Sequence, residues 1–160
     1  MEHSADEAKQ PLEPTLRLEQ QLCFALYSAS LAMTRLYQSR LKPMGLTYPQ
    51  YVVMVALWER DCVTVSEVGQ RVQLDSGTLS QLLKRLEKGG FLHRERDAGR
   101  DERRVLISLT TQGRELESSL ACLPGDMMSS LGISHSLLTD LTVGVSALRR
   151  KILLALPGKD

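Results

Sequence analysis

The sequence has few cysteines, no long apolar run and almost no net charge, and each absence excludes a class of protein. Three cysteines in 160 residues are too few, and an odd number, for a scaffold held together by disulfides. No apolar run approaches the ~18 residues that a membrane-spanning helix requires. The sequence contains no internal repeat and no low-complexity segment. We therefore expect a folded protein of the reducing cytoplasm with no membrane partner.

Candidate metal ligands are also scarce. The three histidines, His3, His93 and His135, are too scattered and too poor in partners to form a metal site. We predict no metal and no other cofactor. A length of 160 residues indicates one domain. Residues 1–14 are polar and acidic, which predicts a flexible N-terminal tail rather than a signal peptide.

The net charge of +1 hides an uneven distribution of charge along the chain. Residues 84–104 contain eight basic and five acidic side chains, whereas residues 1–20 contain five acidic and two basic ones. Nucleic-acid binding requires a local basic face rather than a basic protein. Taken alone, the basic run is better explained as a solvated surface of mixed charge.

The first half of the chain shows helical periodicity. Residues 15–40 have apolar side chains at spacings of three and four, which predict one long amphipathic helix. Pro43-Met44-Gly45 ends this helix, and Thr47 is placed to cap a second one, with Pro49 tolerated in its first turn. Residues 51–58 are too apolar for a surface helix, so we expect the second helix to be central.

Two short helices and a hairpin are predicted next. Thr64 to Glu67 is a capping-box sequence that starts one helix, and Asp75 or Ser76 caps the following helix. Gly89-Gly90 ends that second helix. Residues 91–96 and 104–109 have strand character and flank a charged tip at residues 97–103.

The terminal helices predict a dimer. A helix is expected from Thr110 or Thr111 to about Cys122, followed by a break at Leu123-Pro124-Gly125. The last helix has apolar residues at spacings of three and four, as in a coiled coil: Leu138, Leu141, Val145, Leu148 and Ile152. A symmetric homodimer would cover these stripes, with residues 15–45 and 112–157 as the dimerisation region. A monomer that folds both helices onto itself is the alternative.

The fold class that follows is mainly α with a small β-hairpin wing, a winged helix-turn-helix over residues 46–111. The N-terminal half of its second helix is expected to enter the major groove of double-stranded DNA at a pseudo-palindromic operator. The outward residues of that helix are Ser76, Thr78, Ser80, Gln81, Lys84 and Arg85. The hairpin adds Arg100, Arg103 and Arg104, which suit the phosphate backbone or a narrow minor groove.

This part of the chain resembles the MarR family of bacterial regulators. The motifs are Leu74-Asp75-Ser76-Gly77-Thr78-Leu79-Ser80 and, in the wing, Asp97-x-x-x-Asp101-x-Arg103 followed by Leu109-Thr110. The resemblance implies that Asp101 braces Arg103, which enters the minor groove. A winged helix used for protein contacts is the alternative.

A polar stripe on the first helix suggests a second activity. Cys23, Tyr27, Ser30, Thr34 and Tyr37 are spaced four, three, four and three residues apart. Tyr27 is one turn from the thiol, whereas Tyr37 is roughly 21 Å along the helix axis. In a dimer with antiparallel first helices, Tyr37 of the partner subunit would reach Cys23. The alternative from composition is that Cys23 is a small buried hydrophobic residue.

A second set of motifs is similar to the organic hydroperoxide resistance regulator branch of the MarR family. These are Leu22-Cys23-Phe24-x-Leu26-Tyr27, Tyr37 and Leu46-Thr47-Tyr48-Pro49-Gln50-Tyr51. The resemblance implies that Cys23 is the peroxidatic cysteine, that Tyr37 and Tyr48 reach it from the opposite subunit, and that Tyr27 is adjacent. It also raises Cys122 as a resolving cysteine, against a packing role, and it assigns no role to Cys62.

We therefore predict a dimeric, non-enzymatic repressor that releases its operator when an organic hydroperoxide oxidises Cys23, so that peroxide-detoxification genes are expressed. The first alternative is a MarR-type regulator that responds to a small aromatic ligand. A thiol peroxidase is a second alternative, although nothing in the sequence resembles that fold. A purely architectural DNA binder would need a lysine-rich composition, which this sequence does not have.

Overall fold

A computed structural model describes residues 17–96 and 104–156 of the chain. The chain divides into two compact units, the first ending at Arg35 and the second beginning at Leu36. The predicted fold class, mainly helical with a small antiparallel sheet, is confirmed. The helices are α1 (Leu22–Leu41), α2 (Tyr48–Glu59), α3 (Val65–Val72), α4 (Ser76–Lys88), α5 (Thr111–Leu120), α6 (Leu123–Ser130) and α7 (His135–Ala155). The strands are β1 (Val63–Thr64), β2 (Leu92–Arg96) and β3 (Val105–Leu109).

No single helix in the described part of the chain is long and apolar enough to cross a membrane. The stretches Thr111–Ser130 and His135–Ala155, which meet at a sharp bend, reach the required length and apolar composition only when they are taken together.

The first helix begins later than its apolar periodicity predicted. Leu18–Gln20 forms a separate 3-10 turn, and Gln21 has an extended backbone, so α1 starts at Leu22 instead of residue 15. At its other end α1 stops as predicted. Gly45 takes the left-handed conformation with φ 73° after a turn that contains Pro43.

The second helix is the centre of the core, as its composition predicted. Thr47 caps α2, and the cap is reciprocal because the Thr47 backbone amide donates to Gln50 Oε1 at 2.8 Å. Most of the circumference of α2 is buried, and the face that carries Tyr48, Val52, Val55 and Glu59 is partly open. The buried residues are Gln50, Tyr51, Val53, Met54, Ala56 and Leu57.

The two helices of the helix-turn-helix also begin as predicted. Thr64 and Glu67 form the reciprocal cap of α3, with the Thr64 backbone amide donating to Glu67 Oε2 at 2.8 Å. Asp75 caps α4. The turn between these helices requires a left-handed residue, which is Gln73 with φ 61°.

The sheet has one strand more than the hairpin that the sequence predicted. The strand order is β1-β3-β2, with Val63 opposite Ile107 and Arg94 opposite Ile107 on the other side. A two-residue strand has no periodicity of its own, so only its pairing with β3 reveals it. The added strand joins the wing directly to the start of α3.

The predicted break at Leu123-Pro124-Gly125 is wrong. A new helix, α6, begins at Leu123, because Pro124 occupies one of the first helical positions, where its missing amide is not needed. The interruption is instead a short turn at residues 121–122. After α6, Ser134 caps α7, whose last helical residue is Ala155.

Candidate functional site

Helix α4 separates a buried apolar face from an exposed polar face. Its four leucines, Leu79, Leu82, Leu83 and Leu86, are buried in the core. The six residues that were predicted to face outward are all exposed: Ser76, Thr78, Ser80, Gln81, Lys84 and Arg85. The structure therefore presents one continuous row of hydroxyl, amide and cationic groups of the kind that DNA backbones and base edges accept.

One member of this row is already engaged. Thr78 donates its backbone amide to Asp75 Oδ1 at 2.9 Å and its hydroxyl to Asp75 Oδ2 at 2.7 Å. These two bonds lower the pKa of the Asp75 carboxyl. The hydroxyl proton of Thr78 serves the helix cap, so its oxygen remains only as an acceptor.

The structure describes both strands of the wing but not residues 97–103 between them. Arg104, at the start of β3, is exposed. The other predicted wing residues, Arg100, Asp101 and Arg103, lie outside the described residues.

A carboxylate on α4 makes a contact with the wing that was not predicted from the sequence. Glu87 Oε1 accepts the Arg94 backbone amide at 3.1 Å, and Glu87 Oε2 accepts Arg94 Nε at 2.9 Å and Nη2 at 2.5 Å. The arginine bonds, with burial opposing them, lower the pKa of Glu87. We call this pair the Glu87–Arg94 fork. A Glu seven residues before an Arg, across two glycines, is the only sequence signal for it.

A second carboxylate holds the other wing strand. Asp61 Oδ1 accepts the amides of Cys62 at 2.8 Å and Leu109 at 2.9 Å, and Oδ2 accepts from the guanidinium of Arg114. Burial acts to raise the pKa of Asp61, but the two amides and Arg114 outweigh it, so that pKa is lowered. This network ties the end of α2, the end of β3 and the first turns of α5 together.

The candidate sensor cysteine lies in the first unit. Cys23 is the second residue of α1 and is exposed, as is Tyr27 one turn later. In this chain Cys23 is therefore not the buried core residue that composition alone suggested.

The other two predicted tyrosines belong to an aromatic cluster in the second unit. The ring centroids of Tyr37 and Tyr48 are 5.1 Å apart in an edge-to-face arrangement. Tyr51 lies 5.9 Å from Tyr37 and 6.2 Å from Trp58. Tyr51 and Trp58 were not predicted as site residues, although Tyr51 follows Tyr48 by one helical turn.

The hydroxyls of this cluster are suited to donate hydrogen bonds. Burial, with a smaller contribution from Tyr48, raises the pKa of Tyr37, and burial also raises that of Tyr51. Both phenols therefore keep their protons at neutral pH. Within residues 17–96 and 104–156, the hydroxyls of Tyr37 and Tyr48 bond to no other residue, so they remain available to an external acceptor.

The two remaining cysteines differ in setting. Cys122 is exposed and immediately precedes α6. Cys62 is also exposed, has a left-handed backbone with φ 55°, and places its sulfur 3.4 Å from Ser108 Oγ. Both are free thiols in this chain.

Exposed apolar residues concentrate on α7. None of its twenty-one residues, all of them described, is buried. Large apolar side chains lie open along it, among them Leu137, Leu141, Val143, Val145, Ile152, Leu153 and Leu154. Single exposed apolar residues are ordinary, but a helix-long set of them marks an interaction surface. No group of three or more His, Cys, Asp or Glu in the part of the chain that the structure describes is arranged to hold a metal ion.

Comparison with known proteins places the chain in a family. The model of the transcriptional regulator SarA/Rot family matches residues 35–120, more than half of the chain. The organic hydroperoxide resistance transcriptional regulator of Bacillus subtilis is 44% identical over 133 residues, which cover 83% of this chain and 88% of that protein. The chain belongs to the organic hydroperoxide resistance branch of the MarR family.

Two further relatives agree with this family assignment. The HTH-type transcriptional regulator TtmR of Methylorubrum extorquens is 49% identical over 73% of this MarR-family chain, and the match spans 60% of TtmR. A solved structure of reduced AbfR bound to DNA, from Staphylococcus epidermidis, is 33% identical with a TM-score of 0.70. The alignment covers 85% of this chain and 95% of the AbfR chain.

The single chain of this MarR-family regulator brings together some predicted residues and leaves others apart. The six outward residues of α4 share one surface, and Tyr37 packs on Tyr48. Cys23 and Tyr37 lie at separate positions on α1, fourteen residues apart in sequence. The two arginine–carboxylate networks were missed because their partners come from different elements.

Proposed function

We propose that this MarR-family chain is a dimeric DNA-binding repressor that senses organic hydroperoxides through Cys23 and then releases its operator. The observation that supports this most directly is the similarity to the Bacillus subtilis organic hydroperoxide resistance regulator, which covers most of both proteins. The exposed polar face of α4 is the second support. We place its action in the cytoplasm, where bacterial DNA is found, and we expect no enzymatic turnover.

The dimer in this proposal is formed by the terminal helices. Residues 15–45 and 112–157 would pair with their counterparts, and residues 46–111 would read DNA. The support is the apolar surface of α7, none of whose residues is buried by its own chain. Two copies of α4 would then address the two halves of a pseudo-palindromic site in successive major grooves.

The sensing step is a nucleophilic displacement at the peroxide. The Cys23 thiolate attacks the outer oxygen of R–O–O–H, the O–O bond breaks, and Cys23 becomes a sulfenic acid. The alkoxide that leaves takes a proton and departs as an alcohol. Hydroxyls of Tyr37 and Tyr48 of the partner subunit would donate to the thiolate, and Tyr27 would lie beside it in the same chain.

The sulfenic acid has two fates in the proposal. It condenses with the thiol of Cys122 of the partner subunit to give a disulfide and water, or with a small thiol. Exposure of Cys122 supports the first route, because a resolving thiol must be accessible. A Cys122→Ser variant that still releases DNA only when a small thiol is added would assign the second.

On DNA, we propose roles for the α4 face and the wing. Lys84 would neutralise phosphates and Arg85 would contact phosphate or guanine, while the smaller groups of α4 touch the backbone or base edges. In the wing, Arg100 and Arg104 would contact the backbone or minor groove. Arg103, braced by Asp101, would enter the minor groove.

One observation favours a regulator that answers to a small aromatic ligand instead. An open cleft of about 210 Å³ is lined by Tyr51, Val55, Trp58, Leu120 and Pro124, among others. Aromatic and apolar walls of this kind accept flat apolar molecules. In such a regulator, DNA release would not depend on Cys23.

The test is fluorescence anisotropy on DNA upstream of the gene for this chain, before and after one equivalent of cumene hydroperoxide. We expect wild type and Cys62→Ser to bind and then release the DNA, and Cys23→Ser to bind and stay bound. Cys62→Ser is the matched control because it also removes an exposed thiol. Release by Cys23→Ser, or retention by wild type, would contradict the redox mechanism and favour the ligand-responsive one.

A further inference from the structure

The recognition helix and the wing are joined by two glycines, Gly89 and Gly90. Gly90 has φ 79°, and such a pair restricts the direction of the following strand only weakly. Hydrogen bonds fix the base of the wing. The Phe91 amide donates to the Leu86 carbonyl at 3.1 Å, and the Thr110 hydroxyl donates to the Gly90 carbonyl at 2.6 Å. Beyond this base, β2 pairs with β3 from Leu92 to Arg96, but a direct link from the strand to α4 requires a side chain.

The Glu87–Arg94 fork is placed to provide it. Glu87 lies in the last turn of α4 and holds both the backbone amide and the guanidinium of Arg94, which is the third residue of β2. The two side chains are only about one-third exposed, at 34% and 30%, so solvent weakens the pair less than it weakens a surface ion pair. One carboxylate therefore fixes the strand and its side chain at once.

Arg94 is also the last residue along β2 that forms a hydrogen bond with α4 in the described structure. Beyond it, Glu95 and Arg96 are exposed, and no hydrogen bond or ion pair among the described residues joins either of them to α4. On the other side of the wing, β1 pairs with β3 only at Ile107 and Leu106. Among the described residues of the wing, the fork is thus the outermost hydrogen-bonded link to the recognition helix.

We propose that Glu87 is a positioning residue for DNA binding, which sets the direction of the wing relative to the recognition helix through its fork to Arg94. The inference rests on the proposed function. Lys84 and Arg85 lie on the outward face of the same helix, within three residues of Glu87. A rigid fork lets these residues and the wing arginines meet DNA together, without an ordering cost at the moment of binding.

The experiment uses the full-length reduced protein and the same promoter DNA. Glu87→Gln removes the carboxylate, and Arg94→Lys breaks the planar fork while keeping the charge of the wing. Glu95→Gln is the matched control: it removes one negative charge from the same wing, and among the described residues the Glu95 carboxylate pairs with His93, at 3.6 Å, and not with α4. Each variant is also combined with Arg103→Ala, and Kd is measured at several salt concentrations after circular dichroism shows a folded protein.

We expect Arg103→Ala to weaken binding about tenfold in wild type and in Glu95→Gln. In Glu87→Gln and Arg94→Lys, binding is already about tenfold weaker, and adding Arg103→Ala costs less than about threefold. The plot of log Kd against log salt concentration becomes less steep by about one unit in these two variants, as expected when one phosphate contact is lost. A loss of fold stability alone would lower the active fraction without removing the contribution of Arg103.

Two results would overturn the inference while the proposed function stands. One is an undiminished Arg103→Ala penalty in both fork variants. The other is the absence of any Arg103→Ala penalty in wild type, since there would then be no wing contact to position. If wild type itself does not bind the DNA, the proposed function fails and this inference fails with it, which the wild-type measurement alone reveals.

Discussion

Helices α4 and α7 differ in how far the rest of the chain buries them. Four leucines of α4 are buried, and its start is capped by Asp75. Helix α7 is longer and carries many large apolar residues, yet none of its residues is buried. Helix α4 is therefore packed within its own chain, whereas the apolar side chains of α7 are left open by that chain. Four predictions test this division, from the largest expected effect to the smallest.

Gly113 lies in the first turn of α5, where the helix packs closely against the backbone at the start of the wing. A methyl group built there would lie 2.0 Å from the Phe91 carbonyl oxygen, a backbone atom that cannot move aside. We expect Gly113→Ala to lower the free energy of unfolding by about 4 kcal/mol or more, measured by urea denaturation. Gly125→Ala is the control because no atom lies within 4 Å of the added carbon. Equal stability of the two variants would contradict the close packing of α5 on the wing.

The buried and exposed apolar residues should respond differently to protein concentration. We expect Leu83→Ala to lower the free energy of unfolding by about 2–5 kcal/mol at every concentration, because it leaves a cavity inside one chain. Val145→Ala should lower Tm at concentrations at which wild type is dimeric and have little effect at concentrations at which both proteins are monomeric, because it weakens association. Asp140→Ala, at an exposed polar side chain of the same helix, is the control. A Val145→Ala effect that is independent of concentration would argue for burial within the monomer.

The Asp61 network predicts a pH dependence. The folded-state pKa of Asp61 lies below its ordinary 3.8, so its stabilising contribution is present above that pH and is lost as pH falls through the folded value. We expect Asp61→Asn to cost about 1–2 kcal/mol at pH 7, and the difference from wild type to shrink below pH 4. Urea denaturation at pH 7, 5 and 3 measures it. A difference that stays constant with pH would mean that the charge of Asp61 does not matter.

The smallest effect is expected at Tyr27. Its side chain is 62% exposed in the chain, so Tyr27→Phe should change the free energy of unfolding of the monomer by less than about 0.5 kcal/mol. Denaturation at low protein concentration checks this. A larger loss would show that Tyr27 is already packed before a second chain arrives, and the sensing region would then be less dependent on the dimer than α7 suggests.

Elements with local causes could be predicted from the sequence. The caps at Thr47, Thr64, Asp75 and Thr110 are all present, because a hydroxyl or carboxylate needs only the next turn to act. The wing strands and the outward face of α4 followed from periodicity for the same reason.

Features that depend on distant residues could not be predicted. Strand β1 exists only through β3, and Arg114 finds Asp61 from 53 residues away. The helix at Leu123 was missed because Pro124 is equally compatible with a helix start and a helix end. The sensor assignment came from family resemblance, since its proposed geometry requires a second chain.

The Glu87–Arg94 fork has a consequence for solubility. Strand β2 is an edge strand of the sheet, and the Arg94 amide donates to Glu87 and not to β3. An open strand edge is a template on which another chain can add a strand and begin to aggregate. Glu87 occupies the Arg94 amide with a charged group, so this position of the strand edge is closed to a strand from another chain.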